Sequence, residues 1–234
     1  MGANSAPCRV RNFMTIIDTH THLYDLPQAP EALCEAATAG VSDIVALGVD
    51  LASNKKHIEF EGHVRNAEGE GRTCPRIHLA LGLHPGNIKA EEIEPCFTFL
   101  REVLEGGAVR CVAMGEAGLD FSYKWVREDV VRKDEQRMVF QRHLDLAKEF
   151  NLPIVVHCRG PWRECLNMVV ASGVKKAVFH WYSGPMDVLK DILDAGFLVS
   201  ASVALEYSQE SRKAMAYAPL DRIRLGGDRP AADG

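Results

Sequence analysis

Ile16-Ile17-Asp18-Thr19-His20-Thr21-His22 is the stretch whose reading decides the rest of the chain. It is a short apolar run that ends in His-x-His. Residues i and i+2 of a strand point to the same face. On a strand, His20 and His22 therefore hold two imidazoles side by side, the spacing that two ligands of one metal need. Neutral imidazole suits zinc, manganese, iron or nickel. By itself His-x-His describes a polar strand end equally well, so the decision passes to the later strand ends.

Working outward, strand-like and helix-like segments alternate along the whole chain. The apolar pattern predicts strands at 16–20, 43–49, 77–83, 110–114, 154–157, 177–180, 197–201 and 223–225. The second of these is almost continuously apolar, as befits a parallel strand covered on both faces. Helices are predicted at 29–39, 53–66, 91–105, 135–150, 161–172, 185–195 and 208–217. In the helix at 135–150, Val139, His143, Leu146 and Phe150 form one stripe, with Phe140, Leu144 and Ala147 beside it. The charged segment 121–134 reads as a long loop. Eight β-units in strict alternation predict an α/β fold of (β/α)8 TIM-barrel type, lacking the final helix, rather than an open sheet. Residues 1–13 read as a disordered extension and 14–234 as a single domain.

Composition narrows the function. The chain has 234 residues, 47% of them hydrophobic, and a net charge of −5, so there is no global basic field for nucleic acid or membrane. A phosphate-bearing substrate would depend on metals and a few local cations. No run of eighteen apolar residues and no signal peptide are found, which points to the cytoplasm. Seven cysteines, odd in number and without CxxC, read as reduced thiols.

In a barrel of this type the active site lies at the C-terminal ends of the strands. His20 and His22 follow strand one, His84 strand three, Glu116 strand four, His157 strand five, His180 strand six and Asp228 strand eight. His57, His63, His78 and His143 fall within elements and read as core or surface histidines. The rim set suffices for two divalent ions, with Glu116 able to bridge them and Asp228 able to act as ligand and general base. Two such ions lower the pKa of a water towards neutrality and clamp the oxygens of an in-line displacement.

The spaced motifs D-T-H-T-H-L, G-L-H-P, G-E-A-G-L-D-F, L-P-I-V-V-H-C-R and F-H-W-Y-S-G resemble the TatD family of metal-dependent deoxyribonucleases, in the amidohydrolase superfamily. The resemblance runs from about Ile16 to Leu225. It implies a cytoplasmic phosphodiesterase, often a 3′–5′ exonuclease on DNA or RNA, using two divalent ions (Mg, Mn or Zn). It implies His20 and His22 as the first ligand pair, Glu116 as the bridge, and His157 and His180 as ligands of the second metal. Asp228 falls where the family's last aspartate stands. Where the family reads Glu-Thr-Asp-Ser-Pro, this chain reads Gly226-Gly227-Asp228-Arg229-Pro230. The family then continues through a helical segment, so the chain reads as C-terminally truncated, with apolar surface open near strands one, seven and eight.

Arg159, two residues after His157, is a candidate phosphate ligand. His84 reads as a substrate contact or a turn residue. Tyr123-Lys124-Trp125-Val126-Arg127 mixes cations and aromatics and can hold phosphates or stack a base, or be a solvated loop. Single-stranded DNA or RNA is the expected partner. A hydrolase of small esters, lactones or amides on the same barrel stays open, as does a catalytically impaired homologue.

Overall fold

Each predicted strand needs cover on both faces, and the chain supplies it by closing the strands on themselves inside a ring of helices. The computed structural model describes residues 15–26, 29–69 and 74–227. Eight strands, β1 (Ile16–Thr21), β2 (Val41–Leu47), β3 (Arg76–Leu81), β4 (Cys111–Asp120), β5 (Ile154–Arg159), β6 (Ala177–Phe179), β7 (Leu198–Ala201) and β8 (Ile223–Leu225), pair parallel in sequence order. Helices α1 (Ala29–Thr38), α2 (Leu51–Gly69), α3 (Ala90–Gly106), α4 (Lys124–Arg127), α5 (Val130–Glu149), α6 (Trp162–Ser172), α7 (Met186–Asp194) and α8 (Gln209–Tyr217) lie between them. Leu79, Leu81, Met114, Val156, Phe179 and Val199 of the strands pack with Leu100, Phe140, Leu144, Val169 and Ile192 of the helices in one buried core. No helix among the described residues is long and apolar enough to cross a membrane.

This is the (β/α)8 barrel expected, and among the described residues no helix follows β8. The segment 121–134 is the correction. It holds α4 and the first turn of α5 rather than one long loop. That turn has no apolar stripe, since Val130 and Val131 face solvent. It forms because the Asp129 side chain accepts from Arg132 N and because Arg132–Glu135 pairs along its surface.

No backbone ladder joins β8 to β1 among the described residues. The seam is held instead by Thr19 Oγ1 donating to Leu225 O (2.6 Å) and by Gly227 N donating to Asp18 Oδ1 (2.9 Å). Ile17 and Leu225 on the two seam strands are 50% and 59% exposed.

The opposite end of the barrel carries a buried carboxylate clamp. Asp43 of β2 lies directly across the ladder from Arg76 of β3. Arg76 donates to both its oxygens at 2.9 and 3.0 Å, and Ser42 Oγ and His78 Nε2 approach it at 2.6 and 2.8 Å. The Arg76 hydrogen bonds first, then those of His78 and Ser42, hold its carboxyl well below the ordinary 3.8. A depressed carboxylate stabilises above its unfolded pKa and loses that contribution as pH falls through the folded one. Asp43→Asn should therefore cost about 1–2 kcal/mol at neutral pH, reduced by the exposure of the Arg76 head. Urea titrations should show the gap from the parent narrowing below about pH 4. A gap constant down to strong acid would mean the ion pair contributes nothing.

Candidate metal centre

β4 carries Glu116, Gly118 and Asp120 at alternate positions, and Gly118 is the ladder partner of His157 on β5. A Cβ at Gly118 would lie 1.9 Å from the His157 carbonyl oxygen, so only glycine lets the two strands meet here. The imidazole then settles between the flanking carboxylates. Its Nδ1 is 2.8 Å from Glu116 Oε1 and its Nε2 is 3.0 Å from Asp120 Oδ2. Burial alone would lower the His157 pKa, but its hydrogen bonds with Asp120 and Glu116 raise it to about 9. Asp120 is fully buried. Burial works against its charge, while hydrogen bonds from His157 and Ser122 outweigh that and keep the carboxyl below its ordinary range.

The other oxygen of Glu116 faces β1. Oε2 is 3.3 Å from His20 Nε2 and 3.4 Å from His22 Nε2, and those nitrogens are 3.3 Å apart. Glu116 is 3% exposed. Burial would push its carboxyl up. The charge of His20, and hydrogen bonds from His157, His20 and His22, hold it well below the carboxylate range. His22 Nδ1 lies 2.9 Å from Leu47 O. A carbonyl only accepts, so this nitrogen carries the proton and fixes the ring with Nε2 towards the cluster.

His180 stacks on His20 with ring centroids 3.4 Å apart and planes at 12°. Ser200 Oγ of β7 lies 3.1 Å from His180 Nδ1 and accepts from Trp181 N at 2.9 Å. It thereby holds both the ring and a left-handed backbone, since Trp181 has φ +47°. His84 Nδ1 accepts from Gly86 N at 3.0 Å, and its ring meets the His157 ring at 4.2 Å. Burial, with His157 adding to it, lowers the His84 pKa to about 3, so its imidazole is neutral.

Two donor groups result: His20, Glu116 and His180, and His84, Glu116 and His157. In each, one ligand atom per residue lies within 4.8 Å of the others. His22 stands beside the first. The residues fit divalent cations on structural grounds. Two imidazole nitrogens face each other and one buried carboxylate oxygen, and His20 Nδ1 is buried with no hydrogen-bond partner. Imidazole nitrogens gathered round a buried carboxylate are the donor set a divalent cation takes.

The structure brings the sequence-derived set of His20, His22, Glu116, His157 and His180 together around one carboxylate. His180 groups with His20, and His157 with His84, because β6 brings its terminal imidazole face to face with that of β1. His84 braces its turn by accepting from Gly86 N, with its ring against His157. Arg159 lies at the mouth, its side chain 58% exposed and its Nε 3.9 Å from Asp120 Oδ2. Asp228 lies outside the described residues. His143 is a satisfied core histidine, accepting from Leu83 N and facing Val139 O. Sequence reasoning passed over Asp120 and Ser200. The signal for Asp120 was present, since it shares a strand face with Glu116. Nothing in the local sequence of Ser200 marks it.

The sequence profile described as TatD related DNase matches residues 17–233. Human deoxyribonuclease TATDN3 is 30% identical over 221 residues, covering 92% of this chain and 78% of that protein. A metal-dependent hydrolase of Methanocaldococcus jannaschii is 27% identical over 218 residues, covering 92% and 78%. The crystal structure of the Escherichia coli TatD homologue YJJV superposes with a TM-score of 0.75 at 24% identity, covering 92% and 80%.

Asp120→Asn should weaken metal binding by about 10–100-fold, the usual effect of removing a carboxylate that orients a ligating histidine. Calorimetric titration with manganese or zinc measures it, with thermal melting as the control for folding. Unchanged affinity would show that His157 is positioned without Asp120.

Proposed function

The chain belongs to the TatD related DNase family, and on that footing we propose that it is a two-metal phosphodiesterase acting on single-stranded DNA or RNA. It is a metal-dependent hydrolase of that family. The observation that carries the finer reading is Glu116, whose two oxygens face different donor groups within one pocket. A carboxylate so placed would serve two cations at once.

In this reading His20, His180 and Glu116, with His22 adjacent, hold one cation, and His84, His157 and Glu116 hold the other. The bound pair supplies an activated water near neutral pH and neutralises charge on the phosphate oxygens. Asp120 keeps His157 in place between the strands. Ser200 does the same for His180. Arg159, at the mouth and largely solvent-facing, offers a planar fork to a phosphate. Asp228 keeps the ligand and general-base role read from its position after β8.

The purified chain supplied with manganese should release nucleotides from single-stranded DNA, and a chelator should abolish release. His157→Ala should fall to the chelated level while still melting cooperatively. Hydrolysis of small esters or lactones without nucleotide release would move the reading to a small-molecule hydrolase. Elemental analysis and activity both at background would identify an impaired homologue. Intact nucleotide release from His157→Ala would show that the site is assigned wrongly.

A further inference from the structure

Just past Asp120 the chain turns out of the barrel through Tyr123, Lys124 and Trp125. Tyr123 lies against the His84-Pro85-Gly86 turn, since a Cβ on Gly86 would come 2.6 Å from its phenol oxygen. Burial, then the charge of Asp120, raises the pKa of this phenol, with Arg159 opposing. The same Cβ would lie 3.1 Å from His84 Nδ1, so the ring borders the candidate metal cluster. Trp125 stacks on it with centroids 5.3 Å apart and planes at 18°. Among the described residues no other ring and no cation lies over the indole. Trp125 is 47% exposed, an unusual degree for so large an apolar side chain beside a catalytic-type pocket.

The turn that presents the stack is pinned before any ligand arrives. Val126 is fully buried beneath it. Val126 N and Arg127 N both donate to Tyr123 O, at 3.0 and 2.9 Å, and Asp129 N donates to Val126 O at 3.0 Å. Lys133 Nζ ties down Arg127 O at 2.6 Å. A preorganised aromatic surface loses little entropy on binding. The exposed Arg159 guanidinium extends from the end of the adjacent strand, whose Arg159 pairs with Asp120 in the ladder.

We propose that the Tyr123–Trp125 stack is a nucleobase platform: a base next to the scissile phosphate lies on the Trp125 indole while Arg159 holds the backbone. This rests on the nucleic-acid reading above. Stacking uses the π-face that every base has, so the platform tolerates any sequence. It supplies to this acidic chain a hold on the strand that does not depend on a basic surface.

The test compares cleavage of a single-stranded DNA by the manganese-loaded enzyme with cleavage of a strand of equal length built from tetrahydrofuran abasic units. Trp125→Ala should raise KM for the base-bearing strand about tenfold, with kcat little changed. Its KM for the abasic strand should match the parent's. Trp125→Phe should recover most of the lost affinity, because a smaller ring still stacks. Equal loss on both strands would make Trp125 a backbone contact and overturn the platform, as would no change on either. A parent enzyme that cuts both strands with one KM overturns the platform alone. A parent that cuts neither overturns the nuclease reading and the platform with it.

Discussion

The buried carboxylate of Glu116 is the constraint on which the rest depends. At 3% exposure it has given up its hydration, which costs several kcal/mol unless neighbours replace the water. They come from β1 on one side and β5 on the other: His20 and His22 at one oxygen, His157 at the second. β5 is the ladder neighbour of β4, but β1 stands three strands away and reaches the carboxylate only because the sheet curls into a barrel. Closing the barrel and solvating Glu116 are therefore one event.

Backbone clearance decides where such side chains can converge. Gly118 lets His157 drop between Glu116 and Asp120. At the seam, a Cβ on Gly227 would fall 2.3 Å from Asp18 Oδ2, and one on Gly226 would sit 3.0 Å from the His20 Cβ. Here the exit of β8 presses onto β1, and Gly227 N replaces a ladder bond by donating to Asp18. Asp18 also receives His20 N and Thr21 Oγ1. The two glycines at the end of strand eight thus bear on how the first ligand strand is held.

Much of the site was legible before any coordinates. His-x-His at the end of β1, and single histidines ending β5 and β6, follow from strand periodicity and the rule that barrels act at their C-terminal rim. Their partition was not legible. The family resemblance couples His157 with His180, and the closed barrel adds that His180 stacks on His20 while His157 meets His84. Asp120 escaped notice because β4 runs on to that residue, past the apolar part that marks it as a strand. The first turn of α5 escaped for a related reason. Its stability comes from a cap and surface ion pairs, which leave no apolar period.

The sequence by itself determined the barrel, its strand order and the ring of imidazoles and one carboxylate at its rim, because hydrophobic periodicity and strand-end position are local properties. Only the tertiary structure decided which donors share a pocket, which oxygen of Glu116 each one meets, and that Ser200 and Asp120 hold the histidines. Those outcomes turn on distances of a few ångströms between segments separated by most of the chain. They are set by closure of the sheet, glycine clearance and the cost of burying charge, none of which is written in any single stretch.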